Sequence, residues 1–236
     1  MRKLHPGAAQ ALGDANPWLM SAYEQQTVSA PYVLPANFAD VEYWRGLTDA
    51  DIPALDVSAR ATRFGVCLLS AWGNRWKTES DGRFTSSSAP VRKEWCTPNF
   101  LETRLKAMFS QQWLSAQDKA MCQSWELTLQ DVQPDDLVYL DPPYPETLGY
   151  GNQLWTIGDL LDVVDWVAEH KDRVSIVVSN VADVSRLFQR VGLKCNLVQG
   201  PKAMKTRRKR TEVIAYSILN PIEPETETTL FNQIFK

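Results

Sequence analysis

Two stretches of the chain repeat apolar residues at helical spacing. Between residues 57 and 70, Ala59, Ala61, Phe64, Cys67 and Leu68, with Ala71 beyond, recur on one side of a helix. The second stretch opens at Thr156, with Asp159 three residues on as a variant of the capping box. Its stripe of Ile157, Leu160, Leu161, Val164 and Val167 predicts a buried helix face. A further helix is expected after Gly13-Asp14-Ala15-Asn16-Pro17, with Pro17 at its first position and Trp18 to Tyr23 behind it. Phe100 to Phe109 reads as another, capped by Asn99, and residues 182–189 as one more, stopped by Gly192. Runs of β-favouring residues predict strands at 137–140, 173–178, 193–197 and 211–219, with one more at 121–127. Residues 27–55 contain prolines and no clear period, and are expected to be loop with a short helix near 41–45. Asp81-Gly82 marks a hairpin turn.

Strands separated by helical segments predict an α/β fold. With 236 residues, 44% hydrophobic and 22% charged, the chain has room for one large domain or one carrying a substantial insertion. The net charge of −3 argues neither for nor against a polyanionic partner, so the local distribution of charge must decide. Cys67, Cys96, Cys122 and Cys195 form no CxxC pair, and His5 and His170 are far apart. No metal site or disulfide framework is expected, and a reducing cytosol is the natural compartment. Arg2 and Lys3 are not followed by an apolar stretch, so no signal peptide is expected, and no run approaches the roughly 20 apolar residues of a membrane span.

Local charge is uneven. Arg75, Trp76, Lys77, Arg83, Arg92, Lys93 and Trp95 mix cations with aromatic rings, a combination suited to phosphates and bases. Lys202, Lys205, Arg207, Arg208, Lys209 and Arg210 put six cations into nine residues, just before the strand at 211–219. The segment 221–229 is acidic and proline-containing, and reads as a tail outside the fold. Leu230, Phe231, Ile234 and Phe235 form an apolar cluster on that tail, either docking on the chain's own body or binding a partner.

The chemistry concentrates at 135–144, Asp-Asp-Leu-Val-Tyr-Leu-Asp-Pro-Pro-Tyr. The strand Leu137–Leu140 is stopped by Asp141, after which Pro142 and Pro143 stiffen the backbone and donate no amide hydrogen. Ligands of open α/β sheets bind outside the carboxyl ends of strands. A carboxylate, a fixed carbonyl and the ring of Tyr144 at such an edge suit a flat molecule with an exocyclic amine.

Asp141-Pro142-Pro143-Tyr144 after an apolar strand resembles the catalytic motif of amino-methyltransferases, and residues 13–219 resemble the Dam-type (D12 class) adenine-specific DNA N6-methyltransferases. The resemblance implies an α/β, methyltransferase-type (Rossmann-like) mixed sheet with helices on both faces and an inserted helical and hairpin DNA-recognition subdomain. It implies a catalytic domain of residues 1–40 and 116–220, a target-recognition subdomain of 41–115 and a flexible acidic tail of 221–236. The substrate would be double-stranded DNA, with an adenine flipped from the duplex. By the same resemblance Asp141 and the carbonyl of Pro142 accept from the adenine N6 amine, Pro143 holds the turn and Tyr144 stacks on the base. S-adenosyl-L-methionine would be the cofactor, facing Asp14, Asn16, Ser124 and Trp125. Helix capping is the competing role for Asp14 and Asn16.

Gly82 and Phe84 match the family's Gly-x-Phe hairpin, whereas Trp72-Gly73-Asn74 stands where aromatic-Asn-Gly is usual and Leu68-Leu69 replaces Asn-Arg. Arg75, Trp76, Lys77, Arg83, Lys205, Arg207, Arg208, Lys209 and Arg210 would bind DNA. The family's N-terminal Phe-x-Gly-x-Gly cofactor loop has no counterpart before Asp14, where Gly7-Ala8-Ala9 is the nearest sequence. Two readings therefore stand: an adenine-N6 methyltransferase, and a catalytically degenerate homologue acting as a DNA- or protein-binding factor. A protein partner would dock on the C-terminal tail or complete the N-terminal part of the sheet. The resemblance implies a cytoplasmic, nucleoid-associated protein, bacterial or phage-encoded, of the restriction-modification kind.

Overall fold

The computed structural model describes residues 9–28, 31–71, 77–85, 97–110, 114–145, 147–148, 154–202 and 209–219. Their contacts divide into two compact units, one within residues 9–130 and one within residues 131–219. The architecture is mixed α/β with a mixed sheet.

The first unit begins with β1 (Ala11–Asp14), which runs parallel to β2 (Lys119–Cys122) with Asp14 opposite Cys122. Gly13 lies so close to Thr128 that a Cβ there would fall 1.9 Å from the threonine hydroxyl oxygen, so only glycine lets the strand pass. After Asp14 the chain turns into α1 (Pro17–Thr27). Pro17 takes the first turn, and the Asn16 side chain caps the helix by accepting from the amides of Trp18 and Leu19. α2 (Val41–Gly46) follows, then a 3-10 turn (Asp49–Ala54) inside the stretch expected to be loop. Its start is closed by a reciprocal capping box of Thr48 and Asp51.

α3 (Val57–Ser70) matches its predicted limits and packs against α1, α2 and α4 (Pro98–Ser110). The core between them is Ala22, Trp44, Ala61, Val66, Leu101, Leu105 and Phe109. Arg63 sits in the middle of α3, fully buried. It donates to the carbonyls of Trp44, Leu47 and Gly82 and lies 3.7 Å over the Trp18 ring. One guanidinium thereby ties α1, the end of α2 and the 77–85 hairpin together. That hairpin closes through a Thr78–Phe84 bridge, with Gly82 at φ +81° in its turn.

Three expectations fail here. Asn99 does not cap α4: Pro98 already occupies the first helical position, and the Phe100 amide points back to the Thr97 hydroxyl at 3.4 Å. The predicted strand at 121–127 breaks at Cys122, because Ser124 caps the single turn α5 (Trp125–Thr128) with its hydroxyl. Phe84 is only 4% exposed and packs with Cys67 and Ala71, so the ring matched to the family's DNA-entering hairpin is part of the core.

The second unit is a four-stranded sheet in the order β3-β6-β8-β7. β3 (Leu137–Leu140) pairs parallel to β6 (Ser175–Val181), and β8 (Lys209–Ser217) runs antiparallel to both β6 and β7 (Lys194–Lys202). A small antiparallel pair, β4 (Thr147–Leu148) with β5 (Leu154–Trp155), leads into α6 (Ile157–His170). The capping box forms with Asp159 in place of the usual Glu, its carboxylate accepting from both the amide and the hydroxyl of Thr156. The buried face of α6 is Leu160, Val163, Val164 and Val167. Ile157 and Leu161, expected inside, are 46% and 42% exposed. The strand predicted at 173–178 is shifted toward the C-terminus: β6 starts at Ser175 and continues through Ser179 and Asn180 to Val181, and a 3-10 turn (Ala182–Val184) precedes α7 (Ser185–Arg190).

No helix among the described residues is long and apolar enough to cross a membrane, and no group of three or more His, Cys, Asp or Glu among them could hold a metal ion.

Candidate active site

Side chains alternate across a strand, so Tyr139 and Asp141 point to one face of β3 and Val138 and Leu140 to the other. Val138 and Leu140 are buried, while Tyr139 is 40% exposed and Asp141 is exposed. The register sets Tyr139 beside Val177, which brings Asp141 level with Ser179. Ser179 donates its hydroxyl to Asp141 Oδ1 at 2.5 Å and accepts from the Tyr139 hydroxyl at 3.2 Å. This chain of donors pins one carboxylate oxygen and leaves Oδ2 for a ligand. Burial pushes the Tyr139 phenol above its ordinary pKa. The Ser179 bond lowers it, and the nearby charges of Asp141 and Glu212 raise it further.

The next residue of β6 serves the next residue of the motif. Asn180, fully buried, reaches the Pro142 carbonyl with its Nδ2 at 3.4 Å, and its Oδ1 accepts from the Val181 amide at 2.8 Å. A carbonyl has a second lone pair, so one acceptor position on Pro142 survives this contact. Pro143 continues the turn, and Tyr144 hands its hydroxyl to Glu212 Oε1 of β8 at 3.2 Å. Glu212 is fixed by its strand, opposite Val181 on one side and Val198 on the other. Asp141, Pro142, Pro143 and Tyr144 thus form one group at the carboxyl end of β3, braced by Ser179, Asn180 and Glu212. The sequence named the first four and missed the three braces, of which only Ser179-Asn180, ending a predicted strand, carried any local signal.

In the other unit, Asp14, Asn16 and Ser124 gather at the carboxyl end of the β1–β2 pair. The Asp14 carbonyl accepts from the Gln123 amide at 3.2 Å, and its carboxylate Oδ1 accepts from the Asn16 amide at 2.7 Å. Burial raises the Asp14 pKa, and the Asn16 bond opposes the rise. The capping role proves real for Asn16, whose Oδ1 is committed to α1. Its Nδ2 has no hydrogen-bond partner among the described residues. Asn16 lines a cleft of about 150 Å³ together with Asp49, Thr78 and Gly82. Ser124 is exposed and caps α5, and Trp125 is half-buried in that turn.

Of the residues expected to face DNA, Lys77 and Arg83 are exposed on the 77–85 hairpin, and Arg83 pairs with Asp81 at 3.1 Å. Lys209 and Arg210 open β8. Arg75, Trp76, Lys205, Arg207 and Arg208 lie outside the described residues, as does the tail 221–236. No protein-family model matches the chain, and no curated protein is significantly similar to it.

Proposed function

We propose that the chain is a DNA methyltransferase acting on the N6 amine of a flipped-out adenine, with S-adenosyl-L-methionine as methyl donor. The observation that carries this reading is the braced acceptor pair at the end of β3: Asp141 Oδ2 and the Pro142 carbonyl, beside the ring of Tyr144. A primary aromatic amine offers two N–H donors in the plane of its ring. Two acceptors held by separate hydrogen bonds take both and fix the amine's orientation, so that the nitrogen face, perpendicular to the ring, is presented to an electrophile. The Tyr144 ring offers a stacking surface to the base left unpaired by flipping. Asp141, open to solvent, is placed beside the proton that the nitrogen sheds after substitution, with water at hand to carry it away.

The donor set at the end of β1 fits a cofactor with hydroxyl groups. Asp14 keeps one carboxylate oxygen beyond the Asn16 bond, and the Asn16 amide nitrogen adds a donor at the cleft. A cofactor held by Asp14 and Asn16 would supply an electrophilic methyl group. The open cationic side chains Lys77 and Arg83 and the run ending in Lys209 and Arg210 would neutralise phosphates, with a salt dependence that steepens for each contact.

The test is calorimetric titration with S-adenosyl-L-methionine, alongside methyl transfer to unmethylated DNA by the wild-type chain and by Asp141→Ala. The reading expects cofactor binding in both proteins and methylation by the wild type alone. DNA binding without cofactor binding would replace it with the degenerate, DNA-binding homologue.

A further inference from the structure

We propose that Glu212 is a positioning residue for Tyr144, fixing the stacking ring from the neighbouring strand system. The inference rests on the proposed amine-binding site and adds to it a residue from β8 that the motif itself does not contain. Tyr144 follows two prolines, so its backbone is stiff, but its ring still turns about two side-chain torsions. The hydroxyl at the ring's far end meets Glu212 Oε1 at 3.2 Å. Glu212 belongs to a strand paired on both sides, opposite Val181 of β6 and Val198 of β7. A ring anchored at both ends presents one face to a base rather than sampling rotamers, and ordering it in advance spares that entropy on binding.

The separation of 3.2 Å is longer than the usual ~2.7–2.8 Å for a hydroxyl donor. Such contacts tighten when the ligand is bound.

A double-mutant cycle of Tyr144→Phe and Glu212→Ala tests this, with Glu212→Gln as the conservative variant. Phenylalanine keeps the ring and loses the tether; glutamine keeps an oxygen acceptor. Two readouts are taken: methyl transfer to unmethylated DNA, and quenching of 2-aminopurine fluorescence in a short single-stranded oligonucleotide, which reports stacking without chemistry. Each single variant is expected to lower kcat and weaken quenching by a common factor of about fivefold to tenfold, the size of one net hydrogen bond. The double variant is expected to be no worse than either, and Glu212→Gln to stay within about twofold of wild type by the same arithmetic. A merely structural Glu212 would lower thermal stability and leave the kcat and quenching cycles additive, which overturns the proposal. Quenching with a coupled cycle but no methylation by the wild type removes the methyltransferase reading and keeps Glu212 in its role. Methylation with an additive cycle does the reverse, and failure of both readouts in the wild type removes both.

Discussion

Replacing Arg63 by leucine tests the packing logic of the first unit without reference to any reaction. The guanidinium donates to three carbonyls, of Trp44 at 3.1 Å, Leu47 at 2.6 Å and Gly82 at 2.7 Å. Trp44 is in the last turn of α2, where carbonyls have no partner within the helix, so Arg63 acts as its C-terminal cap from another element. Leucine fills much of the volume but supplies no donor. Each buried carbonyl left bare costs about 1–3 kcal/mol. The cation over Trp18 adds about 2 kcal/mol when desolvated. Against this stands the cost of burying the charge, which leucine removes and which already lowers the Arg63 pKa. The net loss is about 3–6 kcal/mol, a large share of the ~5–15 kcal/mol that holds a domain together. Urea unfolding followed by tryptophan fluorescence measures it, since Trp18 and Trp44 are both buried beside Arg63. Arg63→Lys should recover little, because one ammonium cannot reach carbonyls on three segments. A loss below about 1 kcal/mol for Arg63→Leu would refute the claim that this side chain clamps the unit.

Ser179→Ala should lower kcat about fivefold to tenfold with DNA affinity within about twofold, because Asp141 is exposed and loses only its orientation; Ser179→Thr should restore most of the rate, and equal rates for all three would remove the orienting role. Asp14→Asn should stabilise the fold at neutral pH. A raised folded pKa means that the native state binds protons more tightly than the unfolded one. The ionised carboxylate therefore subtracts stability as pH rises above 3.8 through the folded value, and asparagine flattens that window in urea titrations run at stepped pH. Cys67, buried with its thiol pushed up to about 12, should resist a disulfide reagent at pH 8 until the chain unfolds, whereas the exposed Cys122 should react in the native state.

Local signals carried most of the secondary structure. The limits of α3, β3 and α6 follow from periodicity, a capping box and a proline stop, each written within a few residues. The errors have equally local causes. Met121 to Leu127 alternates like a strand, but Ser124 offers a helix cap, and turn chemistry won. α6 is apolar at so many positions that the stripe did not settle which side faces inward, and Val163 took the place given to Leu161. Arg63 could not be read as core, since arginine is rarely buried without partners and its partners are backbone carbonyls 16–19 residues away. The site divides along the same line. Its four motif residues are contiguous, whereas Ser179 and Glu212 reach it across 38 and 68 residues of chain, through pairings that no local pattern encodes.

The strand order has a kinetic consequence. β7 and β8 pair across the short connection 203–208, so their hairpin closes a small loop and can form early. The pairings of β6 with β8 and of β3 with β6 each close a much longer stretch of chain, the second across the whole α6 crossover between Leu137 and Ser175. Asp141 therefore meets Ser179 only through a non-local pairing, not through the early hairpin. Chains caught before that crossover closes have the acceptors still unaligned.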